Sequence, residues 1–268
     1  MSRPLLTLLT DFGNADYFVG AVKGAILSIC RDAQIVDITH DLPPQDIAAG
    51  AFTLLAAYKS FPAQTVHVAV VDPGVGSARR PILAKAAGQF FVGPDNGICS
   101  YVWERDPPEQ VCHIQSPEFF RQPVSATFHG RDIFAPVAAA LANGVEPLRF
   151  GPEISDWVKL KSLAPISTAA GVVQARIIHI DRFGNCVTNL SRKDVTAESS
   201  SQLSVNGREI GSFRTHYAEA GADPRPEQSE ELFAIWGSAG FVEIAARNAS
   251  AAEVLNAKVG QTVQLKDK

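Results

Sequence analysis

Val70-Val71-Asp72-Pro73-Gly74-Val75-Gly76-Ser77-Ala78-Arg79-Arg80 is an apolar strand end that runs into a glycine-rich turn and finishes on two arginines. The run Thr65–Val71 predicts a buried strand, and it delivers Asp72 to the carboxyl edge of a sheet, where open α/β folds bind ligands. Gly74 and Gly76 allow the backbone to fold back tightly, because glycine enters positive φ without steric cost. The turn brings one carboxylate towards guanidiniums seven and eight residues later, an arrangement able to hold and polarise a water molecule. The same residues also suit a structural Asp–Arg pair that closes a loop. On this segment alone the structural pair is slightly favoured.

Outward from that turn, strands and helices alternate. Leu5–Thr10 is a continuous apolar strand, and Tyr17–Ile29 carries Val19, Val22 and Ile26 at helical spacing, with Asp16 placed as N-cap. Gln34–Ile38 predicts a strand, and Asp46–Tyr58 a helix with Asp46 at its positive end. Pro81–Ala86 and Gln89–Val92 flank Gly88 as a hairpin; Gly93-Pro94-Asp95-Asn96-Gly97 is a tight turn. Val111–Ile114 is a further strand, and Ile133–Ala142 an alanine-rich helix ending at Asn143-Gly144. This alternation predicts an α/β domain over 1–163, a mostly parallel sheet with flanking helices.

Pro165 and the small residues of Ser162–Gly171 predict a linker. From 172 to 268 the period becomes that of strands: Val172–Ile180, Asn185–Leu190, Gln202–Val205 and Glu209–Phe213 around Asn206-Gly207, then Leu232–Trp236, Phe241–Ala245 and Thr262–Leu265. Ala251–Asn256 is a short helix within this β-rich domain, and Glu219–Glu231 an exposed loop.

Composition narrows the classes of function. With 46% hydrophobic and 19% charged residues among 268, the chain has the make-up of an ordinary folded protein. A net charge of −4 and no long basic run argue against nucleic acid as a partner. Cys30, Cys99, Cys112 and Cys186 are scattered, which predicts reduced thiols and neither a disulfide framework nor a zinc site. Met1 leads into strand-like sequence without a cleavable export signal, and no apolar run is long enough to span a bilayer. A cytoplasmic protein with no membrane partner is expected.

Four further motifs carry chemistry, each with a plain structural alternative. Asp11-Phe12-Gly13 lacks the phosphate loop and lysine that a kinase requires, so that reading is rejected. Asp11 at a strand's end suits a vicinal diol such as a ribose, or an ordinary turn. In Phe128-His129-Gly130-Arg131-Asp132 the helix start favours a neutral imidazole at His129, a proton acceptor or simply a packed histidine. Asp181-Arg182-Phe183-Gly184-Asn185 offers a carboxylate, an aromatic face and an amide, or a β-turn. Trp236-Gly237-Ser238-Ala239-Gly240 presents backbone N–H groups and a hydroxyl, or a hairpin. His40, His67, His113, His179 and His216 follow no metal-ligand spacing.

Taken in order along the chain, these motifs resemble the S-adenosyl-L-methionine (SAM) hydrolases that form adenosine. They are also called SAM hydroxide adenosyltransferases and are relatives of fluorinases and chlorinases. The resemblance runs from Thr10 to about Asn248 and is most specific at Asp72-Pro73-Gly74-Val75-Gly76 and His129-Gly130-Arg131-Asp132. It implies a water-activating triad of Asp72, Arg79 and His129, with Arg80 in reserve for Arg79. It places the ribose-binding carboxylate at Asp11, contacts to adenine and the methionine moiety at Asp181, Phe183 and Asn185, and a serine near the methionine carboxylate at Ser238. It further implies a small β-barrel-like second domain and a homotrimer with active sites between subunits. SAM would be the substrate, with no cofactor and no metal.

The halogenases of the family carry tyrosine at the positions of Asp72 and His129, and the latter is flanked by a small hydroxylic residue or glycine. Fluorinases have serine at the place of Gly130 and tryptophan at that of Gln45. An anionic Asp72 would repel a halide by about 1 kcal/mol or more in partly hydrated surroundings, so water is the implied nucleophile. A sulfonium leaves as a neutral thioether and needs no general acid. Arg79 is then expected to stabilise developing hydroxide, Asp72 to orient Arg79, and His129 to accept or relay the proton. Three rivals stand below this reading: a halogenase, a non-catalytic SAM- or adenosine-binding module, and a metal-dependent hydrolase on Asp11, Asp16 and His129.

Overall fold

In a computed structural model of the chain, which describes residues 3–168, 172–198, 200–210, 212–218 and 231–267, Leu5–Thr10 forms the strand β1. The chain divides into two units, Met1–Ser162 and Leu163–Lys268. In the first, β1 lies between β2 (Gln34–Thr39) and β3 (Val66–Val70), parallel to both, which is why its apolar residues are continuous rather than alternating. β4 (Pro81–Ala86) and β5 (Gln89–Pro94) form the expected hairpin, its turn residues Ala87 and Gly88 both at positive φ. β5 then pairs in parallel with β3, and β4 is antiparallel to β6 (Gln110–His113).

The order β2-β1-β3-β5-β4-β6 therefore has three parallel and two antiparallel pairings. The sheet is mixed, so the mostly parallel one predicted holds only in part. The reason is the two-residue turn at Ala87-Gly88, which leaves no room for a crossover helix and forces β4 to run against its neighbours. Leu6, Leu8, Val66 and Val68 form one core with α1 (Phe18–Ile29) and α4 (Ala135–Ala142). α2 (Ile47–Ala57) packs on β1, β3 and α3 (Ser100–Arg105).

Asp46 caps α2 as expected, accepting from the Ala49 N–H at 2.9 Å, a contact worth about 1 kcal/mol. Asp16 does not cap α1; the cap position is Tyr17, one residue too late for the Asp16 carboxyl. α3 was not legible, because six residues with Tyr101, Val102 and Trp103 all buried show no helical period. His67 is a core residue: it bonds Thr7 Oγ1 at 2.7 Å, stacks on Phe91, and burial pushes its pKa down to about 4.

In the second unit β8 (Val172–Ile180) joins two runs of strands. One side leads through β15 (Thr262–Asp267) and β10 (Ser201–Val205) to β11 (Arg208–Glu209). The other leads through β9 (Cys186–Ser191), β14 (Phe241–Ala246) and β13 (Leu232–Trp236) to β12 (Phe213–Arg214). β7 (Ile166–Ser167) adds to β8, so part of the predicted linker belongs to the sheet. Glu209–Phe213 is not one strand: β11 ends at Glu209, and β12 pairs instead with β13. Among the described residues β11 and β12 are not paired with one another, and the strands form a curled half-barrel, which bears out the barrel-like second domain in part. α5 (Ala251–Leu255) is capped by Ser250. Most of the loop read at Glu219–Glu231 lies outside the described residues. No helix among them is long and apolar enough to cross a membrane.

Candidate active site

Asp72 stands just past the end of β3, where the Asn96 side-chain amide holds the Val71 carbonyl at 2.8 Å. The turn after it can be made only with glycine at 76. Its φ is +76°, and a Cβ there would lie 2.1 Å from the Ala126 carbonyl oxygen. This close approach sets the Asp72–Arg80 loop against the segment leading to His129. Gly76→Ala is expected to destabilise the protein by about 1–3 kcal/mol or more, read as a lower Tm by calorimetry.

Arg79 folds back onto Asp72. Its Nε donates to Oδ1 at 3.0 Å and to Oδ2 at 2.9 Å, and its Nη2 also donates to Oδ2. The same Nη2 meets His129 Nδ1 at 2.8 Å. Both members of the ion pair are buried, the Asp72 side chain 5% and the Arg79 side chain 10% exposed. The guanidinium lies over the Phe134 ring at 5.2 Å. Arg79 Nη1 is buried with no hydrogen-bond partner among the described residues. A buried guanidinium N–H without an acceptor is costly.

His129 introduces a π-helical turn, Gly130–Phe134, ahead of α4. Arginine only donates, so Nδ1 of His129 must accept, and a neutral ring carries its proton on Nε2. Burial first, and the Arg79 charge second, lower the His129 pKa from 6.5 and keep the ring neutral. Asp132, fully buried, accepts from the Ser125 N–H at 2.9 Å and from Arg131 Nε at 2.7 Å, which pins the loop that carries His129. Arg131 and Asp132 are thus structural.

Asp72, His129 and Gly130 line a cleft of about 420 Å³ together with Asp11, Gln45 and Thr127. Asp11 Oδ2 accepts from the Gln45 N–H at 2.8 Å. Gly130 is packed closely, since a Cβ would meet the Phe12 ring at 3.3 Å. Arg80 is elsewhere: it donates to Asp95 Oδ2 at 2.9 and 2.6 Å and to Asp156 Oδ1 at 2.8 Å. This removes the reserve candidate and shows the Gly93–Gly97 turn to be a support of the site, through Asp95 and Asn96. Among the described residues no three His, Cys, Asp or Glu side chains gather as a metal ion requires, so Asp11, Asp16 and His129 are not such a group.

The motif residues of the second unit surround another cleft, of about 980 Å³, bordered by Asp181, Phe183, Asn185 and Ser238. Asp181 holds its own turn: Oδ1 accepts from the Phe183 and Asn185 N–H groups, each at 2.9 Å, and Oδ2 from the Asn185 amide at 2.9 Å. The turn presents Phe183, 78% exposed. Gly184 has φ +84°, and a Cβ on it would overlap Ser250 Oγ at 2.1 Å.

Two lining residues escaped sequence reading, Tyr217 and Glu243. The Tyr217 hydroxyl donates to Glu243 Oε2 at 2.9 Å, and Glu243 is only 8% exposed. Burial, reinforced by the charge of Asp181, raises the Glu243 pKa against the opposing Tyr217 hydrogen bond. Burial pushes the Tyr217 phenol up to about 12. One signal was available, a lone glutamate inside the apolar run Phe241–Ala245.

The comparisons agree with this arrangement of two units. Residues 6–151 match the SAM hydroxide adenosyltransferase N-terminal domain, and residues 175–264 match the C-terminal domain of the same family. The chain is 38% identical to an (R)-S-adenosyl-L-methionine hydrolase of Thermus thermophilus, covering 98% of this chain and 99% of that one. A fluorinase of Nocardia brasiliensis is more distant, 26% identical over 98% of this chain and 97% of its own. The crystal structure of an uncharacterized conserved protein from Thermotoga maritima superposes with a TM-score of 0.88 at 33% identity, covering 97% of this chain and 99% of that one. The chain belongs to the SAM hydroxide adenosyltransferase family.

Proposed function

We propose that the protein is an enzyme that hydrolyses SAM to adenosine and L-methionine by in-line attack of water on the ribose C5′. The observation that carries this reading is the chain Asp72–Arg79–His129, of which Asp72 and His129 line the cleft. A water oxygen in the cleft that donates to Asp72 keeps a lone pair free for carbon. As the C5′–O bond forms, the C5′–S bond breaks and its electrons return sulfur to the neutral thioether. The attacking water becomes strongly acidic as it bonds to carbon, so a carboxylate is base enough to take its proton. No hydroxide need form first, which matters because the pKa of bulk water is about 15.7.

This differs from the expectation that His129 accepts the proton. Its Nδ1 lone pair is already used by Arg79 and its Nε2 carries hydrogen, so its part is to fix the guanidinium plane. Alignment in a confined cleft can supply up to roughly 7–11 kcal/mol of the barrier. Asp11 would hold the ribose hydroxyls with the oxygen not engaged by Gln45. Asp181, Phe183, Asn185 and Ser238 would serve the adenine and methionine ends. A halide reading is disfavoured by Asp72, whose carboxylate lines the cleft where an anion would have to enter.

The proposal includes no metal and no organic cofactor, a cytoplasmic protein, and a homotrimer with active sites between subunits. Incubation with SAM in water labelled with heavy oxygen tests the reaction. Label in the adenosine 5′-hydroxyl is expected, and unlabelled adenosine, or turnover that depends on halide, would refute it.

A further inference from the structure

The reaction proposed above leaves one buried histidine unused. His40 follows β2 directly, is 3% exposed, and lines neither cleft. Its Nδ1 meets the Thr10 hydroxyl at 2.8 Å, and Thr10, the last residue of β1, is itself buried and adjoins Asp11 in sequence. Its Nε2 lies 3.1 Å from Asp37 Oδ1, at an angle that makes the contact electrostatic rather than a well-aligned hydrogen bond. Lys23 Nζ holds the other Asp37 oxygen at 2.6 Å. Burial alone would raise the Asp37 pKa, but Lys23 and His40 lower it, so the carboxylate is ionised.

This order of charges fixes each hydrogen. A carboxylate accepts only, so the neutral imidazole carries its hydrogen on Nε2, facing Asp37. Nδ1 then has a lone pair, and the Thr10 hydroxyl must donate to it. The Thr10 oxygen, its own hydrogen committed, is left as an acceptor and takes the Phe12 N–H at 3.3 Å. The His40 carbonyl takes the Gly13 N–H at 2.8 Å. The two N–H groups that follow Asp11 are therefore held by one residue, directly or through Thr10. Residues three apart in a regular strand point to opposite faces. Here the register of β2 on β1 jumps from Asp37 to Thr39, and an irregularity of this kind re-aims side chains, so that Asp37 and His40 meet.

We propose that His40 is a positioning residue: backed by Asp37 and acting through Thr10, it fixes the turn that aims Asp11 into the cleft. This rests on the reading of Asp11 as the carboxylate that receives the ribose hydroxyls. One Asp11 oxygen is engaged by the Gln45 N–H, so the backbone of the turn sets the direction of the other. A hydrogen bond weakens steeply with angle, so a small rotation of the turn costs the contact to a diol first.

Calorimetric titration of the whole protein with adenosine and with 2′,3′-dideoxyadenosine reads the diol contact as a ratio of dissociation constants. That ratio does not depend on how much of the protein is folded. The wild type is expected to bind adenosine about 10- to 100-fold more tightly, and Asp11→Asn to lose most of that preference. Thr10→Val keeps the shape and removes the hydroxyl; it should lower the ratio about fivefold or more, and Thr10→Ser should hold it within about twofold of the wild type. His40→Asn, whose amide oxygen can accept where Nδ1 does, should keep more of the ratio than His40→Leu. The Thr10 pair carries the test if the His40 variants do not fold. A valine variant with the wild-type ratio, a serine variant as poor as the valine one, or asparagine no better than leucine at His40 overturns the assignment. No preference in the wild type, or one that Asp11→Asn leaves intact, removes the reading of Asp11 and the part of His40 with it. Release of adenosine from SAM by the wild type is measured separately. Its failure with these ratios as expected would remove the hydrolase reading and leave the role of His40 standing.

Discussion

Asp72→Asn is expected to lower kcat about 100- to 10,000-fold while the dissociation constant for SAM moves less than tenfold, about the span of a lost acid–base group. The asparagine keeps the shape of the side chain and can still accept from Arg79, but it cannot take a proton from water. Alanine is the worse probe. It would leave Arg79, 10% exposed, as a buried and unpaired cation, a change that costs about 3–5 kcal/mol in other proteins and confounds chemistry with folding. Single-turnover rates with enzyme in excess over SAM, set beside equilibrium binding, separate the two effects. A parallel loss of rate and affinity would make Asp72 a ligand contact and end its part as proton acceptor.

The same pair shows what sequence could and could not reveal. That Asp72 and Arg79 meet was legible, because Gly74 and Gly76 leave few ways for the loop to close and the strand before it is plainly buried. Which arginine closes it was not settled by spacing alone. Arg80 goes to Asp95 and Asp156, and Asp156 lies far along the chain where no local pattern announces the contact. The order of the first sheet was hidden for a similar reason. The hairpin at Ala87-Gly88 could be read, but that β5 rather than β4 lies beside β3 is a long-range choice.

In the second unit the Asp181–Asn185 motif was visible and its inner economy was not. Three donors of the turn bind Asp181, so the most obvious carboxylate is the one already occupied. Glu243 looked like an ordinary strand residue, because a strand's two faces cannot be told apart when both neighbours are apolar. Its contacts, Tyr217 and Gly237, meet it only in three dimensions.

The sharpest test of the proton's path lies at His129. If the imidazole serves to hold Arg79, any acceptor at the place of Nδ1 should do part of its work. His129→Ala is expected to lower kcat about 100-fold or more, the usual cost of disordering a donor that stabilises charge at the reacting centre. His129→Asn, whose amide oxygen can stand where Nδ1 stands, should recover a substantial part of that loss. The pH dependence separates the readings further. Burial and Arg79 lower the pKa of His129, so the wild type should keep its activity as pH falls to the ordinary histidine value of 6.5 and lose it only below. There Nδ1 gains a proton and faces the guanidinium as donor to donor. The folded state prefers the neutral ring, so stability should decline over that same acid range. In His129→Asn that step should vanish from the rate profile, since an amide does not titrate. An asparagine variant as inactive as the alanine one would instead return the proton to the imidazole.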